Sequence, residues 1–261
     1  MEFLAHPVFG AVLGLIVGSF LNVCIHRLPL RESVVWPASR CPHCRASLRA
    51  SDNIPVISYL MLKGRCRSCG QPISPQYPLI ELFTGLVFLA AFLLFEPPVL
   101  YQRLLFACAM IVLFVIDLEH RILPDVITLP GIVLGFLFSF LMPPGWLHSL
   151  AGIVLGGGSL WLMGELYFRV RHEEGMGFGD VKMLAMIGAF LGWKLTLLTL
   201  VLSSFIGSFI GIGMIVLKRG DMKYALPFGT FLAIGALVAA ATGDRIVDWY
   251  ASFYQPPVSG P

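Results

Sequence analysis

The chain has 261 residues, 57% of them hydrophobic and 13% charged, with a formal net charge of +3. A mean hydropathy of +0.83 excludes an ordinary soluble domain and places the chain among polytopic membrane proteins. The positive charge is not a nucleic-acid footprint, because the basic residues fall in loops that the topology below puts on one side of the membrane.

Eight apolar runs approach the roughly 20 residues a helix needs to cross hydrocarbon. They cover 5–26, 79–95, 101–117, 126–142, 146–168, 181–193, 196–217 and 226–242. The pattern predicts an all-α polytopic membrane protein with about eight transmembrane helices. The sixth run is short and passes into the seventh through Gly192, Trp193 and Lys194, so seven spans is the alternative. The first run has no basic segment before it and no small-residue cleavage site after it, so it reads as a span with its N-terminus outside. In that orientation fifteen of the eighteen Lys and Arg lie in inner loops, and only Arg103, Lys194 and Arg245 lie outside. This is the positive-inside pattern, with membrane lipid as the partner surface. The expected organisation is a first span at 1–26, a cytosolic insert at 27–78, a membrane core at 79–245 and an extracytoplasmic tail at 246–261. The final QPPVSGP reads as disordered.

The insert is polar and holds four of the six cysteines. It is too small for a large core and needs a staple. Cys41-Pro-His-Cys44 and Cys66-Arg-Ser-Cys69 supply two thiols each, from two tight knuckles 21 residues apart. Together they complete the tetrahedral sulfur shell that Zn²⁺ prefers. A closed shell of this kind is structural, and the alternative is four reduced or redox-active thiols. His43 reads as a solvated loop residue, and Cys24 and Cys108 as ordinary buried residues.

Two carboxyls stand out. Asp117 closes the run LLFACAMIVLFVID, and Asp180 closes the glycine-rich turn GMGFGD. An ionisable group at membrane depth costs about 2.5–3.5 kcal/mol or more, so it is functional or paired. The topology puts both at the inner mouth of the bundle, where two carboxyls sharing a proton form the machinery of an aspartic protease. The plainer readings are that Asp180 caps the following helix and that Asp117 pairs with Arg121. Asp125 either caps the fourth span or supports Asp117. Glu119, His120, His172, Glu173 and Glu174 read as solvated, and Asp221 and Asp244 as interfacial.

These motifs resemble the bacterial type IV prepilin peptidases, the bifunctional leader peptidase/N-methyltransferases of type IV pili and type II secretion. The resemblance runs through GSFLNVCIHRLP (18–29), the tetracysteine insert, SDNIPVISYLMLKGRC (51–66) and ISPQYPLIEL (73–82). It continues through VIDLEHRILPD (115–125), MGFGDVKMLAMIGAFLGW (176–193) and PFGTFLAIG (227–235). Thr230 departs from the proline common at that place in related sequences. The resemblance implies a GxGD-type aspartic endopeptidase of the bacterial inner membrane, with Asp117 and Asp180 as its dyad. Its substrates would be prepilins or pseudopilins cut after a leader glycine. The new N-terminus would then be methylated from S-adenosylmethionine, an activity associated with the tetracysteine insert. No Rossmann-type glycine fingerprint is present, so the methyl-donor site must be built differently. Glu32, Asp52, Asn53 and Glu81 are its candidates, set against turn roles for Asp52 and Asn53 and against cation pairing or snorkelling for Glu81. The competing functions are a peptidase without methyl transfer and a non-catalytic transporter or scaffold.

Overall fold

The computed structural model describes residues 6–173, 177–217 and 227–253. Eight α-helices occur among them: α1 (Pro7–Arg27), α2 (Ile57–Met61), α3 (Gln76–Leu94), α4 (Val99–His120), α5 (Asp125–Phe138), α6 (Trp146–Arg171), α7 (Phe178–Val216) and α8 (Phe228–Ser252). A 3-10 turn at Ala50–Asn53 precedes α2. The only extended pairings among the described residues are two isolated bridges in the insert. Six helices are long and apolar enough to cross a membrane (α1, α3, α4, α6, α7 and α8), and α5 is a shorter apolar helix. The protein is therefore an all-α, multi-pass membrane protein. The expected tail segment QPPVSGP, Glu174, Asp221 and the basic residues of the 218–225 loop lie outside the described residues.

The chain divides into two compact units, Met1–Ile116 and Asp117–Pro261, with the division inside α4. In the first unit α1 packs on α3. Gly10, Gly14 and Gly18 recur at four-residue spacing along α1. A methyl group at Gly14 would stand 2.7 Å from the Thr84 carbonyl, and one at Gly18 would stand 2.8 Å from the Glu81 Cα. Lipid supplies no hydrophobic drive between helices, so close backbone approach through small residues holds such pairs together. Phe88 and Ala91 of α3 and Leu100 and Leu104 of α4 form a buried cluster, with Leu13 and Val17 of α1 against it.

In the second unit α7 is the central helix and packs against α5, α6 and α8. Its residues from Met183 to Gly192 are all buried, as expected of a helix apolar on every side. The Ser149 hydroxyl of α6 donates to the Ala189 carbonyl at 2.8 Å, and Ser203 of α7 donates to the Phe231 carbonyl of α8 at 3.0 Å. At Gly192 (φ 76°, ψ 170°) the backbone leaves the helix, so α7 has two limbs. These limbs answer the sixth and seventh apolar runs.

Helix ends depart from the hydropathy limits where hydrogen bonding continues through polar residues. Helix α8 runs past 242 to Ser252, and α4 runs past Asp117 to His120. Helix α5 stops at Phe138, before the expected 142, where the Ser139 hydroxyl turns back onto the Phe136 carbonyl at 2.6 Å.

Gly192 is required twice. Its backbone lies in a region that only glycine visits freely, and a Cβ there would meet the Pro144 Cβ at 2.8 Å. Gly192→Ala is expected to cost at least about 1–3 kcal/mol and to lower the thermal unfolding midpoint in detergent. Gly158→Ala, where a Cβ inside α6 meets nothing within 4 Å, should not lower that midpoint, since alanine is the better helix former.

Candidate active site and metal centre

Asp117 lies in the last turn of α4 and is 5% exposed. Its Oδ2 accepts two hydrogen bonds from Thr230, one from the backbone N–H at 2.7 Å and one from the hydroxyl at 3.0 Å. Thr230 is the third residue of α8, where backbone N–H groups have no partner within their own helix. Asp117 therefore supplies from another helix the cap that α8 lacks, since no side chain caps it at Pro227. Gly229 makes room for this contact, because a Cβ there would sit 2.9 Å from Asp117 Oδ2 and 2.9 Å from Leu123 Cδ1.

Asp180 lies in the first turn of α7, which starts at Phe178 with Gly177 at its N-cap and no side-chain cap. The expectation that Asp180 caps the following helix is corrected. The helix begins two residues earlier, and the Asp180 amide bonds back to the Gly177 carbonyl at 3.1 Å. Asp180 is partly buried. Leu123 packs beside both turns, since a Cβ at Gly179 would meet its Cβ at 3.0 Å.

Asp125 neither caps α5 through its side chain nor bonds Asp117. Its Oδ1 accepts from Lys182 Nζ at 2.6 Å, joining the first turn of α5 to the second turn of α7. Glu119, His120, His172 and Glu173 are exposed, as expected, and Asp244, expected to be interfacial, is exposed too.

The insert brings its four cysteines together. The Cys41, Cys44, Cys66 and Cys69 sulfurs all lie within 4.8 Å of one another. Tetrahedral sulfurs at a Zn–S distance of about 2.3 Å stand roughly 3.8 Å apart, and Cys41 and Cys69 are 3.9 Å apart. The two knuckles repeat one local design. The Cys41 amide donates to the Ala46 carbonyl, and the Cys66 amide donates to Gln71. Arg45 and Gly70, each following the second cysteine of its pair, have positive φ. The bridges Arg40–Ser47 and Arg65–Pro72 close both knuckles. The Cys69 and Ser68 amides push the Cys66 thiol down to about 6, which favours the thiolate a metal binds. His43 is exposed and forms no part of the cluster. Cys24 and Cys108 are half-buried, less enclosed than expected, because their helix faces are only partly covered.

Asp52 does not stand free for a ligand. Arg67, inside the second knuckle, grips it with three hydrogen bonds of 2.6–3.2 Å. Glu81 neither pairs with a cation nor snorkels among the described residues. It is 8% exposed and accepts the Val56 amide at 2.7 Å. Glu32 is exposed.

Residues 12–95 match the model of the bacterial peptidase A24 N-terminal domain, and residues 104–212 match that of the type IV leader peptidase family. A relative from Aeromonas hydrophila is 39% identical over 90% of this chain and 90% of its own. One from Stutzerimonas stutzeri is 38% identical over 96% and 95%, and one from Pectobacterium carotovorum subsp. carotovorum is 40% identical over 88% and 91%. All three are named prepilin leader peptidase/N-methyltransferase. The chain belongs to the type IV leader peptidase family. No solved structure matches it. Within this family member, Gly229 and the two Thr230 donors are the site features that sequence reasoning missed. Their signal is a glycine followed by a hydroxyl residue at the head of an apolar run.

The hydrogen-bonded Arg67 guanidinium holds the Asp52 carboxyl below the usual carboxylate range. A carboxyl depressed on folding stabilises the fold above its ordinary range, and that contribution is lost as pH falls through the depressed value. Asp52→Asn should therefore unfold at a lower temperature than wild type at neutral pH and converge with it on acidification. Equal midpoints at neutral pH would show that the pair contributes nothing.

Proposed function

We propose that this chain cuts the leader from type IV prepilins or type II secretion pseudopilins after a glycine. It then methylates the new N-terminus from S-adenosylmethionine. Two full-length curated relatives at 38–39% identity carry both activities in their names. The observation that supports the peptidase reading is that the turns bearing the two aspartates meet at Leu123. A Cβ at Gly179, beside Asp180, would stand 3.0 Å from Leu123, and one at Gly229 would stand 2.9 Å from both Leu123 and Asp117 Oδ2.

In this reading one carboxylate takes a proton from a water held between the two. The other carboxyl, protonated, hydrogen-bonds the scissile carbonyl. The pair titrates as a unit. Both Thr230 bonds converge on Oδ2 of Asp117. This fixes the carboxyl plane and leaves Oδ1 for the reaction. The enzyme works in the bacterial inner membrane with its N-terminus outside and its insert in the cytosol, where a basic leader stays while the apolar pilin helix lies in the bilayer. The peptidase core is 79–245, and methyl transfer belongs with the 27–78 insert. Cys41, Cys44, Cys66 and Cys69 hold a structural Zn²⁺ that folds this insert; four thiolates leave no open position for water.

Prepilin cleavage by membranes at matched expression tests the dyad. Asp117→Asn and Asp180→Asn should insert normally and lose cleavage. Thr230→Val, which keeps the amide donor and loses the hydroxyl, should be slower by about tenfold, with Thr230→Ser restoring the rate. Wild-type cleavage by either asparagine variant would make that aspartate structural.

Metal analysis tests the insert. Purified protein should carry one zinc per chain. The double variant Cys41→Ser/Cys66→Ser should carry none and should lose methylation before cleavage. Full zinc content in that variant would refute the ligand set.

A further inference from the structure

A cavity of about 550 Å³ lies within the first unit, between the last turns of α1, the knuckles and the first turns of α3. Its volume falls within the roughly 300–1,000 Å³ of small-molecule sites. Ser19 and Asn22 of α1, Asn53, Tyr59 of α2, Tyr77 and Glu81 of α3 line it, among others. The cavity therefore combines aromatic side chains, amides and carboxyls around one cleft.

Two of the cations that line it are held by other acceptors. Arg67 is held by Asp52, and Arg27 donates to the Ser33 and Pro37 carbonyls at 2.9 and 2.7 Å. Asp52 is neutralised by the same Arg67. Glu81 is left as the cavity carboxyl that forms no ion pair among the described residues. A carboxylate has about four lone-pair sites; the Ser19 hydroxyl bonds it as well, and the Val56 amide fills one site at 2.7 Å.

That single bond also holds an unusual turn. Val56 has φ 61° and ψ −48°, and the Ile57 amide bonds the Pro55 carbonyl across it at 2.6 Å. This is the rare, strained hand of γ-turn, on a β-branched residue that avoids positive φ. The turn leads straight into α2, whose Ser58 and Tyr59 face the cavity. Strain of this kind persists where the surroundings over-determine it, and it clusters at ligand sites.

We propose that this cavity is the methyl-transfer chamber, holding an S-adenosyl-type sulfonium donor, and that Glu81 receives the α-amine of the cut pilin. The proposal rests on the methyltransferase reading above. A carboxyl without a cation suits this reaction, because the donor carries a sulfonium and the acceptor arrives as an ammonium. In the transfer, the ammonium first passes one proton to a Glu81 oxygen, and the lone pair so freed forms the bond to the methyl carbon. The carbon–sulfur bond breaks with its electron pair left on sulfur, so the products are a methylammonium and a neutral thioether. The knuckles wall the chamber, which gives the metal-bound insert a part in methylation without placing the metal at the reacting atoms.

The test uses full-length protein purified in detergent, with S-adenosylhomocysteine as the unreactive probe and a synthetic pre-cut pilin peptide as acceptor. Calorimetry measures probe binding, and radiolabel measures methyl transfer. Glu81→Gln keeps an oxygen for the Val56 amide and removes the charge. It should bind the probe as wild type does, transfer methyl about a hundredfold more slowly and raise the peptide KM. Glu81→Ala, which loses both oxygens, should also unfold at a lower temperature. Ser58→Trp should fill the chamber and abolish probe binding with zinc content intact.

Wild-type transfer by Glu81→Gln would remove Glu81 from the chemistry. Normal probe binding by zinc-loaded Ser58→Trp would remove the chamber, while methylation by wild type left the function standing. A wild type that neither binds the probe nor methylates would sink both. If Ser58→Trp loses its zinc, photo-crosslinking of labelled S-adenosylmethionine to wild type decides. Label on peptides within 19–81 is the expected result, and label elsewhere overturns the proposal.

Discussion

The first turn of α8 presents backbone donors that its own helix cannot satisfy, and the Asp117 carboxylate from the end of α4 satisfies one of them. Thr230 is buried, and an unpaired buried backbone group costs several kcal/mol. The buried carboxylate needs a partner just as much. One contact thus removes two penalties, and it works only because Gly229 carries no side chain where Oδ2 must sit. The candidate active site is therefore a helix-packing device as well. Its first carboxyl is positioned by a contact that also orders the start of α8.

Close helix approach is the second constraint, and glycine sets it in both units. At the crossing of α6 and α7, a Cβ on Gly188 would overlap the backbone at Gly152. One turn further along the same face of α6, Gly156 lies against the Leu184 carbonyl. These contacts hold the buried limb of α7 in place. Asp180 stands at the head of that limb, so its position is inherited from packing several turns away. The Lys182–Asp125 bond adds a polar tie at the same end.

Hydropathy made the eight apolar segments legible, including the break at Gly192, because a spanning helix must be apolar along its length. The cysteine cluster was legible because a knuckle is local and its spacing is diagnostic. The two aspartates were legible as anomalies of cost. What the sequence did not disclose depends on contacts between distant segments. Nothing near Asp117 in the chain points to Thr230, which lies 113 residues away. Nothing near Val56 points to Glu81. The three glycines of α1 carry a readable four-residue period, and that period is the signal by which the α1–α3 contact was recoverable. Asp52 looked like a turn residue, which it is, but its role is decided by Arg67 across the insert.

Asp117 and Glu81 follow the same physical rule. Each is a carboxyl less than a tenth exposed, on a helix long enough to span a membrane, and each accepts a backbone amide from a residue far along the chain. An amide stabilises a carboxylate without neutralising it, whereas an ion pair such as Asp52–Arg67 spends the charge. Dipoles can offset the cost of a buried carboxyl that is kept for chemistry. The amides at Thr230 and Val56 supply such dipoles, and Arg27 and Arg67 of the insert are held by other acceptors. Conserving charge in this way separates carboxyls available for reaction from carboxyls that serve only as staples.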